Sequence, residues 1–86
     1  MSQSYRVTVD LLDFAANSEI RRFKLGTFSL PECTLFIEAN DPDDAANIVK
    51  NRLIKTILDQ DTGVWTRILC RKIRRRMRII KIQAVQ

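Results

Sequence analysis

Residues 34–58 read TLFIEANDPDDAANIVKNRLIKTIL, and a strand and a helix meet within them. From residue 33 to residue 39, small or apolar side chains occupy every second position, which predicts a half-buried strand. Asp41 is suited to cap a helix, and Pro42 fits the first helical position, where a backbone N–H is not needed. Apolar residues then recur at helical spacing, so the sequence predicts a helix over 42–58.

The segments before this unit predict two further strands. In residues 5–11 apolar and polar side chains alternate strictly, as in a strand with one buried face. Residues 20–28 alternate less regularly and are interpreted as a second strand. Pro31 ends this strand, because proline cannot donate a hydrogen bond to a central ladder.

Residues 64–85 have two interpretations. As strands, residues 64–70 place one apolar face on the helix, and a turn near Arg74-Arg75 returns the chain over 77–85. As a helix, the segment has a basic side opposite an apolar stripe formed by Trp65, Leu69, Ile73, Met77 and Ile80. We favour strands, because Val, Ile, Thr and Trp are dense here, although the three arginines lack the Gly or Asn of tight hairpins.

These elements predict a single α+β domain over residues 1–86. We expect a small antiparallel sheet of four or five strands with one helix packed on one face, in the order β-β-β-α-β-β. The helix covers one face of this sheet and leaves the other without a partner from the same chain.

The composition argues against catalysis and against several kinds of site. Histidine is absent, and the two cysteines, Cys33 and Cys70, cannot complete a structural zinc site alone. No nucleophile motif or phosphate-binding glycine loop is present. We therefore expect no enzyme activity, metal, cofactor or small-molecule substrate. No apolar run approaches the length of a membrane span, so we expect a cytoplasmic protein without membrane contact.

The charge of the chain is concentrated at one end. Residues 1–61 hold 7 Lys/Arg and 10 Asp/Glu, whereas residues 62–86 hold 8 Lys/Arg and no acid. Such asymmetry predicts a polyanionic or acidic partner, unless the acidic part of the chain neutralises it. The residues expected to contact nucleic acid or an acidic partner are Trp65, Arg67, Arg71, Lys72, Arg74, Arg75, Arg76 and Arg78.

Nucleic-acid binding is the first functional hypothesis. On the strand interpretation, alternate residues from Trp65 to Ile73 lie on the face turned away from the helix. Arginines that alternate with an aromatic residue are suited to hold phosphates and stack a base, which fits RNA or another single strand. No groove-reading helix or ribonucleoprotein motif accompanies this pattern.

Self-association or binding of another protein is the alternative hypothesis. Apolar side chains on the second face of a single-helix sheet indicate a covering partner, and a symmetric homodimer is the commonest solution. The predicted interface residues are Phe36, Leu69, Ile73, Met77 and Ile79. The sequence leaves both hypotheses open.

Four stretches of the chain carry a resemblance to known proteins. They read YRVTVDLLDF, RRFKLGTFSLPECTLFIEAND, DPDDAANIVKNRLIKTIL and RKIRRRMRIIKI. Together they resemble small proteins of tailed marine cyanobacterial phages, which implies a cytoplasmic accessory protein with no assigned activity to carry over. The strand–helix order and the basic closing segment are also similar to a small archaeal ribosomal protein, which would favour RNA.

Overall fold

The computed structural model describes residues 2–15 and 18–85 of the chain. Within these residues it has an α+β architecture with a three-stranded antiparallel sheet and two longer helices. In chain order the elements are β1 (Gln3–Asp10), α1 (Leu12–Ala15), α2 (Ser18–Arg21), β2 (Glu32–Ala39), α3 (Pro42–Leu58), α4 (Val64–Arg76) and β3 (Arg78–Val85). The expected sheet of four or five strands with a single helix, in the order β-β-β-α-β-β, is wrong.

β1 is the central strand and pairs antiparallel with β2 on one side and β3 on the other. Val7 lies opposite Leu35 of β2 and Ile82 of β3, so these three side chains share one face of the sheet. That face is packed against the protein interior. The other face carries no element of the described chain, and we call it the open face.

α3 begins and ends where the sequence predicts. The carboxylate of Asp41 accepts a hydrogen bond from the backbone N–H of Asp44 at 2.8 Å, and the Asp44 carboxylate accepts one from the N–H of Asn40 at 3.1 Å. The first bond satisfies an N–H group that the first turn leaves free, the second joins the helix to the residue before the cap, and Pro42 follows the cap. The predicted helix over 42–58 is confirmed.

α4 corrects the preferred interpretation of the C-terminal segment. Residues 64–76 are helical and 78–85 form a strand, so only Met77 separates the two elements. The helix buries Thr66, Leu69, Cys70 and Ile73, a spacing that matches one helical face. The strand expected over residues 64–70 is wrong because this stripe packs on α3, whereas the strand expected over 77–85 is confirmed as β3. Burying one Leu or Ile is worth about 1.5–3 kcal/mol, more than the cost of β-branched residues in a helix.

The strand expected over residues 20–28 is also absent. After α2 the chain follows turns, and Gly26 adopts a positive φ of 64°, a region that favours glycine. Ile20, Phe23 and Phe28 are buried at unequal spacings, so they anchor an irregular segment to the core. Apolar and polar residues alternate poorly over 20–28 because this segment does not form a strand with one buried face.

The irregular segment after α2 is hydrogen-bonded to the loop that joins the two long helices. The side chain of Gln60 accepts a hydrogen bond from the backbone N–H of Lys24 at 2.9 Å and donates one to its carbonyl at 2.6 Å. α3 contacts all three strands, and α4 packs on α3. α3 therefore lies over the covered face, and α4 is held to the fold mainly through α3.

Candidate functional site

The side of α4 opposite its buried stripe is strongly basic. Six of the thirteen residues of this helix are Arg or Lys, none is acidic, and all six side chains are exposed. Trp65, in the first turn, is 70% exposed and Ile68 is 36% exposed. The basic side of α4 comprises Arg67, Arg71, Lys72, Arg74, Arg75 and Arg76.

Helical spacing aligns these side chains in rows about 20 Å long, the length of thirteen helical residues. Arg71 and Arg75, four residues apart, lie along the middle of the exposed side. Trp65 and Lys72, seven residues apart, lie along one margin. The exposed apolar side chains therefore belong to the first half of the helix, whereas the charge is densest in the second half.

Helix stability accounts for only part of this charge. Arg74, Arg75 and Arg76 occupy the last turn, where positive charge complements the helix dipole. Arg67, Arg71 and Lys72 lie earlier, where the dipole offers no such benefit. Within the described residues the ion pair joins Arg22 to Asp61, so no base of α4 has a described carboxylate within 4 Å.

The start of α4 is fixed by Asp61 in the preceding loop. Its carboxylate accepts hydrogen bonds from the Thr66 hydroxyl at 2.5 Å, the Gly63 N–H at 3.0 Å and Arg22 Nη2 at 3.2 Å. The Thr66 hydroxyl is the main cause of a lowered pKa for Asp61, followed by the Gly63 N–H. Thr66 is buried, so this network fixes the position at which the helix begins.

A second contact holds the far end of the helix. Arg74 Nη1 donates a hydrogen bond to Asn51 Oδ1 of α3 at 3.2 Å. Cys70 packs beneath this end as a free, buried thiol. Burial raises the pKa of the Cys70 thiol, while the nearby Arg74 charge lowers it to a lesser extent. The thiol is therefore held in its unreactive protonated form.

The structure brings the predicted binding residues together and disperses the predicted interface residues. Trp65 and the six bases of α4 are exposed on one helix, and Arg78 is exposed at the start of β3. By contrast Leu69, Ile73 and Met77 are buried core residues, and Ile79 is half-buried against the core. Of the interface set, Phe36 alone is well exposed, at 68%.

Phe36 belongs to a row of side chains across the open face. Arg6 of β1 lies opposite Phe36 of β2 and opposite Gln83 of β3. The guanidinium of Arg6 donates a hydrogen bond to Gln83 Oε1, which fixes its orientation. The neighbouring row consists of Thr34, Thr8 and Lys81, with the two hydroxyl oxygens 3.3 Å apart.

Acidic residues occupy the two outer rows of the same face. Glu38 lies at one end, opposite Ser4, and Glu32 and Asp10 lie at the other. Asp10 is paired with Arg78 across the strands, and its carboxylate accepts the Leu12 N–H at 2.8 Å. The two central rows of the open face therefore contain bases, hydroxyls, an amide and one aromatic ring, without an acid.

Sequence reasoning missed Arg6, Gln83 and Lys81 as members of the same surface as Phe36. The alternation of β1 already places Arg6 on the face away from the core. The pairing that brings Gln83 beside it joins residues 77 positions apart, and no local pattern encodes that register.

Comparison with protein-family models, curated proteins and solved structures finds no match to this chain. Among the residues described here, no helix combines the length and apolar character needed to cross a membrane. The same residues hold no cluster of three His, Cys, Asp or Glu side chains placed to bind a metal ion.

Proposed function

We propose that this chain is a non-catalytic protein that binds nucleic acid through the basic side of α4. The observation that carries the proposal is the exposure of all six bases on one helix, with none of them in an ion pair to a described side chain. Charge held in this way costs stability through self-repulsion, and a polyanion offsets that cost.

The anchoring of α4 adds to this support. Thr66 at its start and Arg74 near its end are both hydrogen-bonded to other parts of the chain. The backbone of the helix is therefore ordered before a ligand arrives, and binding incurs little further loss of backbone entropy. Guanidinium groups suit phosphate, which they contact with two parallel hydrogen bonds.

Trp65 favours nucleic acid over a generic acidic protein surface. An indole that is 70% exposed beside a row of bases offers a stacking platform for a base, while arginines hold the phosphates. It is also the single tryptophan of the chain, so its fluorescence reports directly on this end of α4.

Fluorescence anisotropy with labelled RNA tests the proposal. The wild type should bind, and six phosphate contacts to a single strand should weaken binding about 300-fold between about 50 and about 200 mM salt. The double variant Arg71→Ser with Arg75→Ser removes two central contacts. Its slope of log affinity against log salt should be smaller by about 1.4.

The matched control removes two arginines elsewhere. Arg21 and Arg52 are exposed on α2 and α3, so Arg21→Ser with Arg52→Ser makes the same change in net charge away from α4. We expect the control to retain the wild-type slope. If both double variants lost RNA affinity equally, or if the wild type did not bind RNA at about 50 mM salt, a nucleic-acid function would be refuted. Either result would favour a protein partner.

A further inference from the structure

The chain passes directly from the basic end of α4 to the open face of the sheet. Met77 is the only residue between the two elements, so the Cα atoms of Arg76 and Arg78 lie within about 7.6 Å. A register shift leaves Ile80 without a partner on β1, so Arg78 and Lys81 both face the open side, opposite Asp10 and Thr8. Because those partners are two residues apart, Arg78 and Lys81 are separated by about 7 Å along the strand.

From Lys81 the series of basic side chains crosses the sheet towards the aromatic ring of Phe36. Lys81 is the diagonal neighbour of Arg6, a separation of about 7–8 Å, and Arg6 lies directly opposite Phe36. Each step is no longer than the distance over which salt at about 0.1 M screens a charge, about 10 Å. A strand of phosphates leaving the end of α4 thus meets Arg78, which has Asp10 beside it in the same row. It then meets Lys81 and Arg6 on the way to Phe36.

We propose that the open face is the second half of the binding surface and that the ligand is single-stranded. This rests on the function proposed for α4 and adds the class of ligand. A base stacks on an exposed ring only if it is unpaired, because the faces of paired bases are covered within a duplex. Arg6 and Lys81 hold the adjoining phosphates, and Gln83, Thr8 and Thr34 offer hydrogen bonds to base edges.

The acidic residues set the limits of this path. Glu38 and Glu32 lie on β2 in the outer rows, where they repel phosphate, so the strand enters at Arg78 on β3 and then follows the two central rows. A homodimer through the same face is less well supported. Arg6, Lys81 and Gln83 occupy the two central rows of this face, whereas the centre of a homodimer interface is apolar and depleted of charge.

The experiment compares Phe36→Ala with Leu12→Ala, which removes another exposed apolar side chain outside the central rows. Affinities are measured for a 16-nucleotide single-stranded RNA and for a 16-base-pair RNA duplex, with Trp65 fluorescence followed in the same titrations. Phe36→Ala should weaken single-strand binding roughly 5- to 150-fold, the range for one stacked base, and leave duplex binding unchanged. Leu12→Ala should leave both affinities unchanged.

A second variant, Lys81→Ser, should lower the single-strand salt slope by about 0.7. Quenching of Trp65 should persist in Phe36→Ala, because α4 is intact. If the strand binds α4 but Phe36→Ala and Lys81→Ser both match the wild type, the inference about the sheet is wrong and the function of α4 stands. If the wild type binds neither RNA, both fail. Sedimentation showing a dimer that Phe36→Ala dissociates would assign the open face to self-association instead.

Discussion

Asp61 joins three parts of the molecule through a single carboxylate. It accepts hydrogen bonds from Gly63 and Thr66 at the start of α4, and from Arg22 of the irregular segment. The donors favour the ionised carboxylate, and the Thr66 hydroxyl has the largest effect in lowering the pKa of Asp61 below its ordinary value of 3.8. The contacts that hold the start of the basic helix therefore depend on the ionisation of Asp61, and so on pH.

Acidification should weaken this junction. Because the pKa of Asp61 is lowered by folding, its ionised form stabilises the protein above pH 3.8, and that contribution is lost as the pH falls through the lower folded value. Asp61→Asn should therefore have a lower Tm than the wild type at pH 7, and the difference should shrink at about pH 3. Thermal melts of both proteins across this range measure the effect.

Asp59→Asn is the control for this prediction. Asp59 follows α3 directly, and its exposed side chain makes no hydrogen bond within the described chain, so the substitution should leave the Tm at pH 7 unchanged. A difference between Asp61→Asn and the wild type that stays constant from pH 7 to pH 3 would show that the carboxylate is not stabilised by these donors.

α4 shows how packing decides between two periodicities. As a strand, residues 64–70 would bury Ile68 and expose Ile73; as a helix the segment exposes Ile68 and buries Ile73 fully. The helical arrangement wins because Leu69 and Ile73 reach the core together and α4 packs on α3. Because the segment is a helix, its arginines lie on the exposed side of α4 and not on a face of the sheet.

The two isoleucines provide the test at the level of this element. Ile73→Ala should lower the free energy of unfolding by about 2–5 kcal/mol, because it leaves a cavity in the core. Ile68→Ala should change it by less than about 0.5 kcal/mol, since its side chain is partly in water. Urea denaturation measures both. The reverse ranking would restore the strand interpretation of this segment.

Across the whole molecule, charge is separated more sharply than the net value of +5 suggests. Acidic residues cluster at the start of α3 and in the outer rows of the open face, whereas α4 is purely basic. Three pairs of like charges lie four residues apart on α4, namely Arg67 with Arg71, Arg71 with Arg75, and Lys72 with Arg76. Each such pair costs about 0.2–0.5 kcal/mol.

This arrangement predicts opposite effects on stability and binding. Arg71→Gln removes two of the three repulsive pairs, so at about 50 mM salt it should raise the free energy of unfolding by about 0.4–1 kcal/mol. The gain should fade at about 0.5 M salt, where repulsion is screened in the wild type as well. RNA affinity should decrease in the same variant, which calorimetry and anisotropy on one preparation can establish.

Arg21→Gln serves as the comparison, because Arg21 is exposed on a helix of only four residues and not on α4. It should change neither stability nor RNA affinity appreciably. If Arg71→Gln were instead destabilising at low salt, the wild-type charge on α4 would be compensated within the folded chain.

Local signals determined the parts of this protein that depend on neighbours in the chain. The cap at Asp41 and the helical repeat up to Leu58 define α3 residue by residue, since capping and amphipathic spacing act over a few positions. Strict alternation likewise identified the strands around Val7 and Leu35. Counting Lys and Arg along the sequence was enough to locate the basic segment after residue 61. That count identified the bases that α4 exposes.

Long-range packing decided the rest. Whether residues 64–76 bury Ile68 or Ile73 depends on α3 being there to receive the stripe, and β-branched residues alone favoured the wrong answer. The row that joins Arg6, Phe36 and Gln83 exists only because β2 and β3 both pair with β1. Strand register is fixed by burial on the opposite face of the sheet, so the surface beside Phe36 is a consequence of the core.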